Sequence, residues 1–321
     1  MFSPPFLLKN RHLQTLYAPF FRKQNKKLKF EIEHFELDDG DFVECYWHNA
    51  KPTDKRPIVT LFHGLAGSYK SPYILGLMIA LEKAGFASVV MHFRGCSGKE
   101  NLLPRSYHSG ETADAKAWID YLNVKYKTNP LHAVGFSIGG NMLLKLLGEE
   151  QKKSLLVSAV SVSAPMDLAV CAKVISKGFA SNYEGHLLNP LKITLKKKFD
   201  TFNMNKLLIL KKEKIDGIKS IEEFDEKYTA PIHGFKSAQE YYKKCSSKQF
   251  LKYIAVPTLI IHSLDDPFMD ERVLPKENEL SPSVNFELSP HGGHVGFVTG
   301  SLFKPRYWLE ERIIQYFLEK A

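Results

Sequence analysis

The sequence predicts an α/β protein, with a mostly parallel central sheet, helices on both faces and a helical cap inserted late in the chain. Three observations carry this. Short apolar runs recur at 57–62, 87–93, 131–134, 158–163 and 257–262. Segments of helical spacing, 74–84 and 138–147, alternate with them. A Lys-rich stretch without strand character, from about 167 to 247, separates the last two runs. Short strands that are apolar throughout are buried on both faces, as in a parallel sheet between two helical layers.

The elements follow in order. Phe30-Glu31-Ile32-Glu33-His34-Phe35-Glu36-Leu37 partly alternates, Asp38-Asp39-Gly40-Asp41 supplies a turn, and 42–47 runs extended, which predicts a hairpin. The run 57–62 ends in His63-Gly64 and the run 87–93 in Arg94-Gly95; the helical pattern between them stops at Gly85. The run 131–134 enters Gly135, and a helix pattern follows over 138–147. Strand character returns at 257–262 and again at 284–288, and an amphipathic pattern over 306–318 predicts a closing helix. The expected organisation is one domain over 1–321, with an N-terminal arm at 1–29 and a cap insertion at about 167–250.

Composition narrows the class. The 321 residues are 44% hydrophobic and 25% charged, ordinary for a globular chain with a core that needs no disulfide staples. Cys45, Cys96, Cys171 and Cys245 are scattered, without a CxxC pair or ligand spacing, so neither a disulfide framework nor a metal site is expected. Scattered thiols and an N-terminus interrupted by Pro4-Pro5 point to a cytoplasmic protein without a signal peptide. No stretch reaches the ~20 apolar residues of a membrane span. The net charge of +9 reads as a solvated basic surface, because no nucleic-acid motif accompanies it.

Chemistry enters at Gly135-Phe136-Ser137-Ile138-Gly139. This G-x-S-x-G follows a predicted strand and opens a predicted helix, the context in which a strained turn pushes a serine hydroxyl out of the sheet. Serine is a poor nucleophile until a base takes its proton. In this arrangement the acid and then the base come later in the chain. Asp265-Asp266-Pro267 follows the strand 257–262, and His291-Gly292-Gly293-His294 follows the run 284–288. Asp266 is preferred as the acid because Pro267 fixes the turn just after it, which leaves Asp265 to cap a turn. His294 is preferred as the base because two glycines let its loop aim it inward, which leaves His291 exposed. An oxyanion needs two fixed donors. The expected pair is the backbone N–H of Ile138 and that of Leu65, in the loop His63-Gly64-Leu65-Ala66-Gly67. His63 itself reads as a structural residue holding that loop.

At this level of detail the chain resembles the YheT-like esterases of the α/β-hydrolase superfamily, over nearly its whole length. The resemblance is carried by Asn10-Arg11-His12-Leu13-Gln14-Thr15, His63-Gly64-Leu65-Ala66-Gly67-Ser68, Ser71-Pro72-Tyr73 and Phe93-Arg94-Gly95-Cys96-Ser97-Gly98. It continues in Tyr107-His108-Ser109-Gly110-Glu111-Thr112, Phe224-Asp225-Glu226, His233-Gly234-Phe235, Tyr241-Tyr242, Asp265-Asp266-Pro267-Phe268 and Gly292-Gly293-His294-Val295-Gly296-Phe297. It implies the α/β-hydrolase fold, hydrolysis of carboxylic esters without metal or organic cofactor, and the roles of nucleophile, acid and base for Ser137, Asp266 and His294. Some relatives carry an N-terminal membrane segment; none is expected in this chain, so anchoring is not expected to carry over.

The function expected is therefore a serine esterase acting on short- or medium-chain acyl esters through an acyl-enzyme. The expected partner is a small-molecule or lipid-like ester, and no nucleic acid. The same residues would serve a lipase or phospholipase at a membrane surface, an acyltransferase, or a binding protein on a hydrolase scaffold. For the membrane reading, Lys192, Lys196, Lys197, Lys198, Lys206, Lys211, Lys212 and Lys214 make the cap basic, interleaved with Ile193, Leu195, Leu207, Leu208 and Ile209. Such a stretch can dock peripherally on anionic lipid, although a solvated helix is the better reading. The oligomeric state is not encoded in any of these motifs.

Overall fold

In the computed structural model residues 2–22, 28–301 and 303–320 are described. Helix α1 (Arg11–Phe21) begins at Asn10, whose side-chain oxygen accepts the N–H groups of His12 and Leu13 at 2.9 and 3.1 Å. The arm expected at 1–29 thus contains a capped helix; residues 1 and 23–27 of it lie outside the described residues.

Eight strands follow: β1 (Phe30–Glu36), β2 (Phe42–His48), β3 (Ile58–Phe62), β4 (Ala87–Met91), β5 (Leu131–Phe136), β6 (Ser158–Val162), β7 (Thr258–Ser263) and β8 (Val284–Ser289). They form one sheet in the order β1-β2-β4-β3-β5-β6-β7-β8. β1 pairs antiparallel with β2, with Phe35 opposite Val43, so the expected hairpin forms. β2 pairs antiparallel with β4, and the remaining pairs are parallel. Every residue of β3, β4, β5 and β6 is buried, which explains why these strands read as mostly apolar runs without polar alternation.

Helices α2 (Pro72–Lys83), α3 (Ala113–Lys125) and α4 (Ile138–Glu150) connect the early strands. Between β6 and β7 run α5 (Leu168–Ile175), α6 (Ala180–Thr201), the short α7 (Ile221–Phe224) and α8 (Ala230–Ile232), and α9 (Ala238–Cys245). The chain closes with a two-stranded ribbon of β9 (Val298–Gly300) and β10 (Pro305–Tyr307), then α10 (Trp308–Glu319). The closing helix therefore starts two residues later than its periodicity suggests, because Arg306 is paired opposite Thr299.

Two cores sandwich the sheet. On one face Ile58 and Phe62 pack with Trp118 of α3 and Met142 and Leu143 of α4. On the other, Val59, Leu61, Val134 and Phe136 pack with Leu77 of α2 and Ile313 and Phe317 of α10. This period-2 partition of β3 makes each side chain expensive to remove: Leu61→Ala would cost about 2–5 kcal/mol. The insertion after β6 has its own cluster, with Leu188, Leu195, Met204, Phe224 and Tyr228.

Candidate active site

Ser137 stands at the junction of β5 and α4 with φ +53° and ψ −122°. A non-glycine residue there is strained, and the strain is held by close backbone packing. A Cβ on Gly135 would lie 2.3 Å from the Gly139 carbonyl oxygen, and one on Gly139 would lie 2.6 Å from those of Phe62 and His63. The Ser137 N–H donates to the Val162 carbonyl at 2.9 Å, which ties the turn to the neighbouring strand.

The loops after β7 and β8 bring the other two expected residues to it. His294 Nε2 lies 3.0 Å from Ser137 Oγ, and His294 Nδ1 lies 2.8 Å from Asp266 Oδ2. Asp266 is 1% exposed, and its other oxygen accepts the Phe268 N–H at 2.9 Å. With a carboxylate at Nδ1, the proton sits on that nitrogen and Nε2 faces the serine as an acceptor. Phe268 stacks on the imidazole, ring centroids 4.0 Å apart and 15° from parallel.

Asp265 does more than cap a turn. It accepts the Gly293 N–H at 2.9 Å and meets His291 Nδ1 at 3.2 Å, so it holds the loop that carries His294. His291 is half-buried against it rather than fully exposed.

In the loop after β3, the Gly64 N–H donates to Tyr73 Oη and the Ala66 N–H to Tyr107 Oη, both at 2.9 Å. The Leu65 N–H between them has no acceptor among the described residues. The Ile138 N–H belongs to the first turn of α4, where helical donors lack intrahelical partners. Both residues line the same cavity as Ser137. His63 is fully buried, donates from Nδ1 to the Gly64 carbonyl at 2.8 Å and accepts the Phe93 N–H at 3.1 Å. Burial, and then neighbouring His92, push it down to about 3, so it is a neutral brace for the loop. The roles of Tyr73 and Tyr107 escaped the sequence reading: both lie in quoted motifs, but a tyrosine supporting a loop through its hydroxyl leaves no spacing signature.

The cavity has a volume of about 650 Å³ and walls from α1, the β3 and β5 loops and the insertion, including Leu16, Phe20, Phe179, Leu191, Leu195 and Phe224. One expectation about the insertion is corrected. Lys198 is not part of a basic outer face: it is 2% exposed, and its Nζ donates to Asn101 Oδ1 at 2.5 Å and to the Leu103 carbonyl at 2.6 Å. The helical period of α6 turns that one lysine inward while its neighbours face out. Lys196, Lys197 and Lys212 are outward but paired, with Asp216, Glu100 and Asp200.

A second group of potential ligands was invisible to spacing, because one member comes from the insertion. His108, Glu111 and His233 bring ligand atoms within 4.8 Å of one another. Arg105 already donates to Glu111 at 2.8 Å, and burial, then Lys145 and Arg105, hold His108 down to about 3. The Glu111 carboxylate is thus already neutralised by a guanidinium, and that positive charge disfavours a second cation beside it, so these residues are a poor fit for a metal. Among the described residues no helix is long and apolar enough to cross a membrane, and all four cysteines are free.

The family model for the alpha/beta hydrolase fold matches residues 57–301. The chain belongs to the α/β-hydrolase family. Within it, the chain is 44% identical to YheT of Escherichia coli (strain K12), which bears an esterase name, over 97% of this chain and 91% of that one. It is therefore a YheT-like enzyme, an ester hydrolase. It is also 30% identical to Phospholipase ABHD3 of Homo sapiens, over 89% of this chain and 71% of that one. The Pyrococcus furiosus esterase Pf2001 shares the fold, with a TM-score of 0.57 at 13% identity, covering 99% of each chain.

Proposed function

We propose that the enzyme cleaves short- or medium-chain carboxylic esters through an acyl-enzyme on Ser137, with His294 as base and Asp266 as the residue that orients it. The observation that carries this is the unbroken contact chain from Ser137 Oγ through both imidazole nitrogens to the Asp266 carboxylate, at 3.0 and 2.8 Å. His294 Nε2 takes the hydroxyl proton as Oγ attacks the ester carbonyl, and later returns it to the leaving alkoxide. The Asp266 carboxylate steadies the imidazolium formed between these steps. The backbone N–H groups of Leu65 and Ile138 receive the oxyanion. Water then repeats the attack with the same base, releasing the acid and Ser137. No cofactor enters these steps.

The domain reading goes with this proposal. Residues 1–321 act as one unit, and the insertion at about 167–250 serves as a cap that supplies the apolar wall for the acyl group. A panel of p-nitrophenyl esters graded by chain length tests the whole reading: turnover is expected to peak at short or medium chains, and absence of turnover at every length would refute it.

One observation favours a lipid-like ester presented at a surface. Phe20 and Phe179, 73% and 55% exposed, belong to the cavity wall, and large exposed aromatics at a cavity suit an interface. Peripheral contact would then come through these rings more than through the cap lysines, several of which are already paired. Co-sedimentation with anionic vesicles, lost on Phe20→Ser with Phe179→Ser but retained at high salt, is the outcome this reading expects.

A further inference from the structure

We propose that Thr15 on α1 is a positioning residue for His294, acting with Gln14 to clamp the base loop in the register that lets the imidazole span Ser137 and Asp266. This rests on the triad reading above. The Thr15 hydroxyl accepts the backbone N–H of His294 itself at 3.0 Å. It donates in turn to the Arg11 carbonyl at 2.8 Å, so its orientation is fixed by its own helix. One turn of backbone further along the loop, Gln14 takes both polar groups of Val298: its Oε1 accepts the Val298 N–H at 2.7 Å, and its Nε2 donates to the Val298 carbonyl at 2.9 Å and to that of Leu8 at 2.7 Å. Gln14 is fully buried and three of its hydrogen-bonding capacities are used. The segment from His294 to Val298 is thus pinned to α1 at both ends.

The segment needs pinning. Val295 and Phe297 have φ of +57° and +46°, a region that β-branched and bulky residues avoid. Such conformations persist only where the surroundings over-determine them. The contact with α1 is backbone to backbone: a Cβ on Gly293 would lie 2.6 Å from the Arg11 carbonyl oxygen, and one on Gly296 would lie 2.4 Å from that of Gln14. Released from Thr15, the loop would relax toward ordinary dihedrals and carry the imidazole off the serine. A displacement of about 1 Å costs on the order of 10²-fold in rate when reacting groups must be aligned. The helix also steadies the ring side of the base: His12 Nδ1 meets Tyr183 Oη at 3.0 Å, the Tyr183 ring packs on Phe268, and Phe268 stacks on His294.

The test compares Thr15→Val, which keeps the shape and cannot accept a hydrogen bond, with Thr15→Ser, which keeps the hydroxyl. On a p-nitrophenyl ester, Thr15→Val is expected to lower kcat about 10- to 100-fold with KM nearly unchanged. Thr15→Ser is expected to recover most of kcat. The rate of Ser137 labelling by a fluorophosphonate is expected to follow kcat, and amide hydrogen exchange over 292–298 to accelerate in Thr15→Val alone. Unchanged kcat in Thr15→Val, or a rise in KM with kcat intact, would overturn the positioning role while leaving the triad standing. Equal losses in the Val and Ser variants would also overturn it, because then the hydroxyl is not what matters. A wild-type enzyme that neither turns over esters nor labels would overturn the triad reading and this inference with it.

Discussion

Asp265 and Asp266 are adjacent in sequence and hold different histidines: Asp266 meets His294 Nδ1 at 2.8 Å, and Asp265 meets His291 Nδ1 at 3.2 Å. From the turn after β7 the two carboxyls thus engage different residues of one loop. Asp266 reaches the imidazole that faces Ser137, and Asp265 reaches the base of the loop through the Gly293 N–H at 2.9 Å.

The pair can be separated by single Asn substitutions. Asp266→Asn keeps the shape but presents a donor to Nδ1, favouring the wrong tautomer, and kcat is expected to fall on the order of 10³- to 10⁴-fold. Asp265→Asn still accepts the Gly293 N–H, and kcat is expected to fall less than about tenfold. Steady-state kinetics on one activated ester checks both; the reverse ranking would move the acid to Asp265.

Lys198 ties the insertion to the body of the molecule. Its ammonium is pushed down to about 8 by burial, and it donates to the 101–103 loop, where Asn101 also bonds Asp41 at 2.6 Å. Lys198→Met leaves those acceptors unsatisfied and is expected to destabilise by about 2 kcal/mol. Lys212→Met removes only an exposed pair and is expected to cost less than about 0.5 kcal/mol. Urea unfolding of the two variants measures the difference; equal midpoints would contradict the buried latch.

Stability should fall on mild acidification. Burial holds His63, His108 and His233 down to about 3, and His92, His132 and His262 down to about 4, from an ordinary 6.5. Below 6.5 the unfolded chain binds protons at these six positions that the folded chain refuses, so acid favours unfolding down to about 4. Asp225 opposes this: burial raises its carboxyl to about 7, so between 3.8 and 7 the folded chain keeps a proton that the unfolded chain releases. Burial also raises Asp114 and Glu310, which oppose in the same sense, while it lowers His12 with the other histidines. Seven depressed histidines thus act against three raised carboxyls, and Tm is expected to be lower at pH 5 than at pH 7. Differential scanning calorimetry at the two values checks this, and a Tm that is flat or higher at pH 5 would contradict it.

Much of this architecture was legible in the sequence because parallel strands buried on both faces are mostly apolar along their length, as 58–62 and 87–91 are apart from Thr60 and Ser88. The elbow was legible because close packing of Gly135 and Gly139 leaves no room for side chains there. The arm at 1–29 was expected without an element of its own, although Asn10 is an ordinary N-cap, and α1 forms within it with Pro19 inside the helix. The contacts of this helix with the His294 loop join residues 279 and 284 positions apart, and no local pattern reports such a pairing. The inward turn of Lys198 was hidden for a related reason: its acceptors are carbonyl and amide oxygens of a distant loop, which one lysine among many does not announce.

Labelling with a fluorophosphonate probe, followed by peptide mass analysis, tests the proposed chemistry most directly. The expected result is stoichiometric modification of Ser137 in the wild-type enzyme and none in Ser137→Ala, whose ester turnover drops by ~10³-fold or more to what the oxyanion donors alone supply. Modification of another serine with full turnover in Ser137→Ala would contradict the assignment of the nucleophile and of the triad built around it.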